Sequence, residues 1–223
     1  MFYCRLCQKW QRLRRKYGRT ARRIIPIISA APVDTATREK WLARLWQAIE
    51  DDDMPYLELL GEHWGEVCAT PELASKWAED LISTVRLCWS DDRPGGHFPG
   101  TTPCLSALLK AQRNDDLLQL LKLDRHHMWH YQKFGAQPLA NMGKVAEAIE
   151  FAETVDNRYV NSSMWVAQTC EKILLDAGQT DEAYERYAIA ANRESTYVST
   201  YRSIAKKYPV SIRRAVNFMP RRR

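Results

Sequence analysis

Apolar and polar positions follow one another along most of this chain with the period of an amphipathic helix, and they predict a run of helices from about Ala36 onward. Trp41, Leu42, Leu45, Trp46 and Ile49 line one side of residues 36–50. Asp51, Asp52 and Asp53 should stop that helix, because negative charge is unfavourable at a helix C-terminus. Pro55 opens a second helix carrying Tyr56, Leu59, Leu60 and Trp64 inward. Thr70, Pro71 and Glu72 form a start signal for a third, which runs to about Trp89: Thr caps, Pro takes the first helical position and Glu suits the positive end. Residues 90–102 (SDDRPGGHFPGTT) read as a long connection rich in Gly, Pro and Asp. Further helices are expected near 103–112, 114–123, 126–141, 144–155, 160–177, 180–191 and 195–208, with Pro138 kinking the one that contains it.

A repeat organises the second half. Gly143-Lys-Val-Ala-Glu147-Ala148-Ile-Glu150 returns as Gly178-Gln-Thr-Asp-Glu182-Ala183-Tyr-Glu185, 35 residues later. In each copy the glycine can take the left-handed conformation that closes one helix. Asp181 is expected to cap the next. A second register, Trp129, Trp165 and Tyr201, is spaced by 36 and places one large aromatic in the first helix of each unit. Arg113-Asn-Asp-Asp-Leu117-Leu118 is a weaker copy 30 residues upstream, with the glycine replaced. A period in the mid-thirties marks stacked helical hairpins. The expected fold is all-α: antiparallel helix hairpins stacked as a short, tetratricopeptide-like α-solenoid. Ordering 35 residues costs on the order of 50 kcal/mol at ~1.5 kcal/mol each, so a hairpin with one sheltered face needs neighbours.

Charge divides the chain into three segments. Residues 1–33 hold nine Arg and Lys and no acid, and the tail from Val210 adds five Arg. The remaining 19 basic residues face all 27 acids, so the body is about −8 while both ends are positive. The expected organisation is a basic arm and linker (1–33), a helical-repeat domain (34–209) and a basic tail (210–223). Phe2, Leu6, Trp10, Leu13 and Tyr17 give the arm an apolar stripe among its cations. Ile24–Ala31 reads as part of the linker between Pro26 and Pro32, being too short and too broken for a signal-peptide core. No apolar run approaches the ~20 residues of a membrane-spanning helix. Six cysteines without a paired framework point to reduced, mostly buried thiols in a cytoplasmic protein.

Candidate chemistry is sparse. Cys4-x-x-Cys7 is half a zinc site with no second pair within forty residues. His126, His127 and His130 form HHxxH at a helix start without an evident further ligand, and read as structural histidines. Glu147, Glu150, Glu182 and Glu185 read as a solvated helix face. Phosphate-loop, dinucleotide-binding, zinc-protease and nucleophile-elbow motifs are all missing. No cofactor, metal ligand or catalytic residue is therefore nominated, and an enzyme is not expected.

The Gly-x-x-x-Glu-Ala units resemble tetratricopeptide-type hairpins, though the fuller signature is absent. Met54-Pro-Tyr56, Trp64-Gly65-Glu66, Pro71-Glu-Leu-Ala74, Phe98-Pro-Gly-Thr-Thr102, Trp129-His-Tyr131, Ser195-Thr-Tyr197 and Ala205-Lys-Lys-Tyr-Pro209 span Arg38 to Pro209. They resemble an uncharacterised bacterial family of helical-repeat proteins, some of whose members are associated with SWIM-type zinc fingers. The resemblance implies a helical-repeat body and no nameable activity. Residues 1–33 lack the SWIM ligand pattern, so its zinc and nucleic-acid role does not carry over.

The leading expectation is a scaffold that binds a protein or peptide along its concave face through Tyr131, Gln132, Asn161, Gln168, Tyr197 and Arg202 on the first helices. The alternative is nucleic-acid binding by the basic ends, with Arg12, Arg14, Arg15, Lys16, Arg19, Arg22 and Arg23 meeting phosphate. The last helix turns Tyr197, Tyr201, Ile204 and Tyr208 to one side, and that side needs cover from the tail or from a second molecule in a homodimer.

Overall fold

A computed structural model describes residues 23–52, 58–90, 98–125, 127–154 and 162–209. Every regular element among them is helical. They are α1 (23–30), α2 (Thr35–Glu50), α3 (Glu58–Gly61), α4 (Trp64–Cys68), α5 (Pro71–Trp89), α6 (Thr101–Lys110), α7 (Asn114–Leu121), α8 (Trp129–Asn141), α9 (Val145–Glu153), α10 (Ser162–Asp176), α11 (Thr180–Ala191) and α12 (Tyr197–Lys207). No helix among the described residues is long and apolar enough to cross a membrane. The chain divides into two compact units, Met1–Arg125 and His126–Arg223.

The first unit is built around α6, which packs on α3, α4, α5 and α7. Its residues Thr101 to Leu108 are all buried, because no charge interrupts the sequence before Lys110. Gly65 sets the approach of α4: a Cβ there would lie 2.4 Å from the Ser106 carbonyl oxygen. The Gly65 amide donates instead to Ser106 Oγ at 3.0 Å. Large side chains fill the rest. Trp64 stacks edge-on against Trp46 and Trp77, and Trp46 meets Phe98. Such aromatic pairs add about 1 kcal/mol each beyond their burial.

Two sequence expectations change here. The helix foreseen from Pro55 through Trp64 is two short ones, α3 and α4, with a turn at Glu62 and His63. The stretch expected as linker is helical in α1, and Ile25 is only 2% exposed. Arg38 explains why it stays. Its buried guanidinium donates to the carbonyls of Ile28 (2.9 Å), Ala31 (2.7 Å) and Val67 (3.0 Å), joining the ends of α1 and α4 with the charge that helix C-termini favour.

One turn occurs three times. Gln112, Gly143 and Gly178 have φ of 58, 78 and 76°, and follow α6, α8 and α10 at the same distance. The next amide bonds back to Leu108, Leu139 and Leu174, and the left-handed residue's own amide to Leu109, Ala140 and Leu175. These are the paired bonds of a Schellman cap. The residue ahead of each following helix then holds ψ near 60° (Arg113 62°, Lys144 59°, Gln179 57°). Short turns and mutual packing make α6/α7, α8/α9 and α10/α11 antiparallel hairpins. Gln112 stands where the repeat has glycine, one residue ahead of the position expected from Arg113. Asp181 lies within α11 rather than capping it, and α8 runs on through Pro138 to Asn141.

The second unit packs α8 on α9, α10 on both, α11 on α10, and α12 against α11. The 35-residue register carries burial with it: Ala136 and Glu171, Ala148 and Ala183, Ala152 and Tyr187 are all buried pairs. The 36-residue aromatic register does not. Trp129 is 7% exposed, Trp165 46% and Tyr201 55%. One residue of offset turns a helical side chain by about 100°, so the three aromatics cannot share an environment.

Glu171 fastens the C-terminal end of this unit. Its carboxylate is buried and accepts from Asn192 Nδ2 (2.6 Å), Tyr208 Oη (2.7 Å) and Lys207 Nζ (2.5 Å). Burial and that bond push the Tyr208 phenol well above its ordinary pKa.

Two outcomes are expected in urea denaturation. Gln112→Gly should raise stability and Gly178→Ala should lower it, each by about 1 kcal/mol, since both act through the left-handed position. Equal signs would show that the two turns are not equivalent. Glu171→Ala should cost about 3 kcal/mol, because it leaves buried donors without an acceptor.

Candidate functional site

Between α9 and α11 lies a half-open cleft of about 180 Å³. Val145, Ile149 and Leu174 give it an apolar floor, and Glu150, Glu153, Glu182 and Arg186 stand at its rim. Beneath it α9 and α11 each pack on α10, with Ala148, Ala152 and Ala183 fully buried in the core they share.

The rim is wired on one side. Arg186 pairs with Glu182 at 2.7 Å and with Glu153 at 3.1 Å, and lies 5.0 Å over the Tyr187 ring. Tyr187 Oη donates to Glu153 and lies against the Cys170 thiol. These ion pairs are about 40% exposed on both partners, and exposed pairs contribute only ~0.5 kcal/mol each. Their larger effect is on the field. Three carboxylates face one guanidinium, and Glu150 makes no ion pair among the described residues. The cleft therefore favours a cation with an aliphatic stem, charge at the rim and carbon on the floor.

The residues expected from sequence to meet a partner do not line this cleft. Tyr131 is half-buried on α8. Gln132 is buried, 3% exposed, as is Ala167 one 35-residue register on. Gln168 is on the surface of α10, with its Nε2 donating to the Ala191 carbonyl at 3.1 Å. Tyr197, 96% exposed, and Arg202, also exposed, lie on α12. Asn161 lies outside the described residues. So do Arg12, Arg14, Arg15, Lys16, Arg19 and Arg22 of the basic arm, together with Cys4, Cys7 and His126. Arg23 is exposed at the start of the described part of α1. His127 is exposed with φ 43°, and His130 stacks on Tyr131. Among the described residues no group of three or more His, Cys, Asp or Glu is placed to hold a metal ion.

Glu150 and Glu182 belong to the repeated acids, which read in sequence as a solvated face. What makes the cleft is unrepeated: 35 residues from Glu153 stands Ala188, and 35 before Arg186 stands Phe151. Departures from the repeat were the available signal.

Burial raises the Cys170 thiol from its ordinary 9.0 to about 11, and burial followed by the Glu153 bond raises Tyr187 above its ordinary 10.0. Both folded groups hold protons that the unfolded chain releases, so their stabilisation is complete below pH 9 and falls as pH rises through these values. The urea midpoint should decline from pH 9 to 11, and Cys170→Ala should flatten that decline; an unchanged slope would remove the thiol from the account. Compared with known proteins, the chain matches no family model, no curated protein and no solved structure, so the reading of the cleft stands on its own residues.

Proposed function

We propose that the protein is a non-enzymatic helical-repeat scaffold that binds a protein or peptide partner, and that a Lys or Arg side chain of the partner enters the α9/α11 cleft. The observation that carries this reading is the acid-rimmed, apolar-floored cleft, on whose edge Glu150 makes no ion pair among the described residues. The thrice-used turn and the burial shared across the 35-residue register support a tetratricopeptide-like array, in which inter-helix grooves serve recognition. Nucleic-acid binding through the basic ends rests on segments outside the described residues and gains no support from the cleft, whose charge repels phosphate.

The test is selection from a random peptide library on the full chain, followed by titration of the selected peptides. Lys- or Arg-containing peptides should be enriched, and their affinity should fall with added salt. Glu150→Lys should weaken them at least about tenfold, the equivalent of ~1.4 kcal/mol. A library that yields no cationic preference, or binding indifferent to E150K, would refute the assignment of this cleft.

A further inference from the structure

Among the described residues that line the α9/α11 cleft, Arg186 is the one cation, and by charge alone it should repel an entering Lys or Arg. Its bonds give it a different task. From α11 its Nη1 donates to Glu182, one turn back on the same helix, at 2.7 Å. Its Nη2 donates across to both carboxylate oxygens of Glu153 on α9, at 3.1 and 3.3 Å. The guanidinium lies 5.0 Å over the ring of Tyr187, which is itself 7% exposed and donates its hydroxyl to Glu153. α9 and α11 each pack on α10, and these bonds tie the two to one another across the cleft.

The same bonds sort the acids. Glu153 has both oxygens engaged by α11. Glu182 gives Oε1 to Arg186, while its Oε2 accepts no bond among the described residues, and Glu150 makes no ion pair there. A cation that displaced Arg186 would break two charged contacts and a ring contact at once. One that settled on Glu150 and Glu182 would break none.

We propose that Arg186 is a positioning residue for the cation site. It braces α11 to α9, fixes Glu182 at the rim, and directs the partner's Lys or Arg to Glu150 and Glu182 instead of Glu153. This rests on the reading of the cleft as a cation site, and it reverses the sign that charge alone gives: removing the Arg186 charge weakens a cationic peptide, because the brace is lost with it.

The test titrates the full chain with a capped pentapeptide that carries one central arginine among alanines, followed through the amides of α9 and α11. Arg186→Met, which keeps an unbranched stem without charge, should weaken binding about fivefold or more. Arg186→Lys keeps the charge without the two-way fork and should fall between Arg186→Met and the unaltered chain. Glu153→Gln added to Arg186→Met should change affinity less than twofold, since both act on one bridge. Binding by Arg186→Met as tight as that of the unaltered chain, or tighter, overturns the positioning role, and so does a full further loss from Glu153→Gln. If Glu150→Lys still abolishes binding in that case, the cleft remains a cation site and only the role of Arg186 falls. A peptide that does not bind the unaltered chain overturns both.

Discussion

The hairpins of this protein depend on a single backbone position. After α6, α8 and α10 one residue enters the left-handed region, and two amides thereby reach carbonyls that the helix end would leave without partners. The chain reverses within three residues and the next helix must lie along the last. Glycine takes the position twice without strain, and Gln112 takes it at the cost of a left-handed side-chain-bearing residue.

From similar helices the two units build different interiors. The first fills its centre with indole rings and leucines around α6, and secures its N-terminal helix with one buried guanidinium on three carbonyls. The second is seamed by alanines, so its helices approach closely and its polar side chains do more of the fastening. Glu171 is the clearest case. A buried carboxylate is costly alone, and three donors from two later segments make it a specific lock on how α10 receives the chain beyond α11.

The cleft lies between two helices, α9 and α11, that each pack on α10, and their longer side chains line the gap. Arg186 pairs with two of the carboxylates there, and the third, Glu150, makes no ion pair among the described residues. Exposed charges of this sort contribute little to folding and much to the local potential.

Helix positions followed from the sequence because periodicity, caps and breakers act locally: Thr70 does accept from the Leu73 amide, α2 does end before Asp51, and Gly143 and Gly178 do take positive φ. Periodicity also predicted helices alone, and every regular element among the described residues is helical. It could not choose between registers of 35 and 36, since one residue of offset matters only when a neighbouring helix defines inside and outside; packing buried Trp129 and left Trp165 in solvent. Nor could it tell that Gln132 is interior, that Ile24 to Ala31 is helical, or that Glu153 and Arg186 close a cleft with Glu150 and Glu182. Those facts arise between helices, where distance in space bears no relation to distance along the chain, and only tertiary structure decides them.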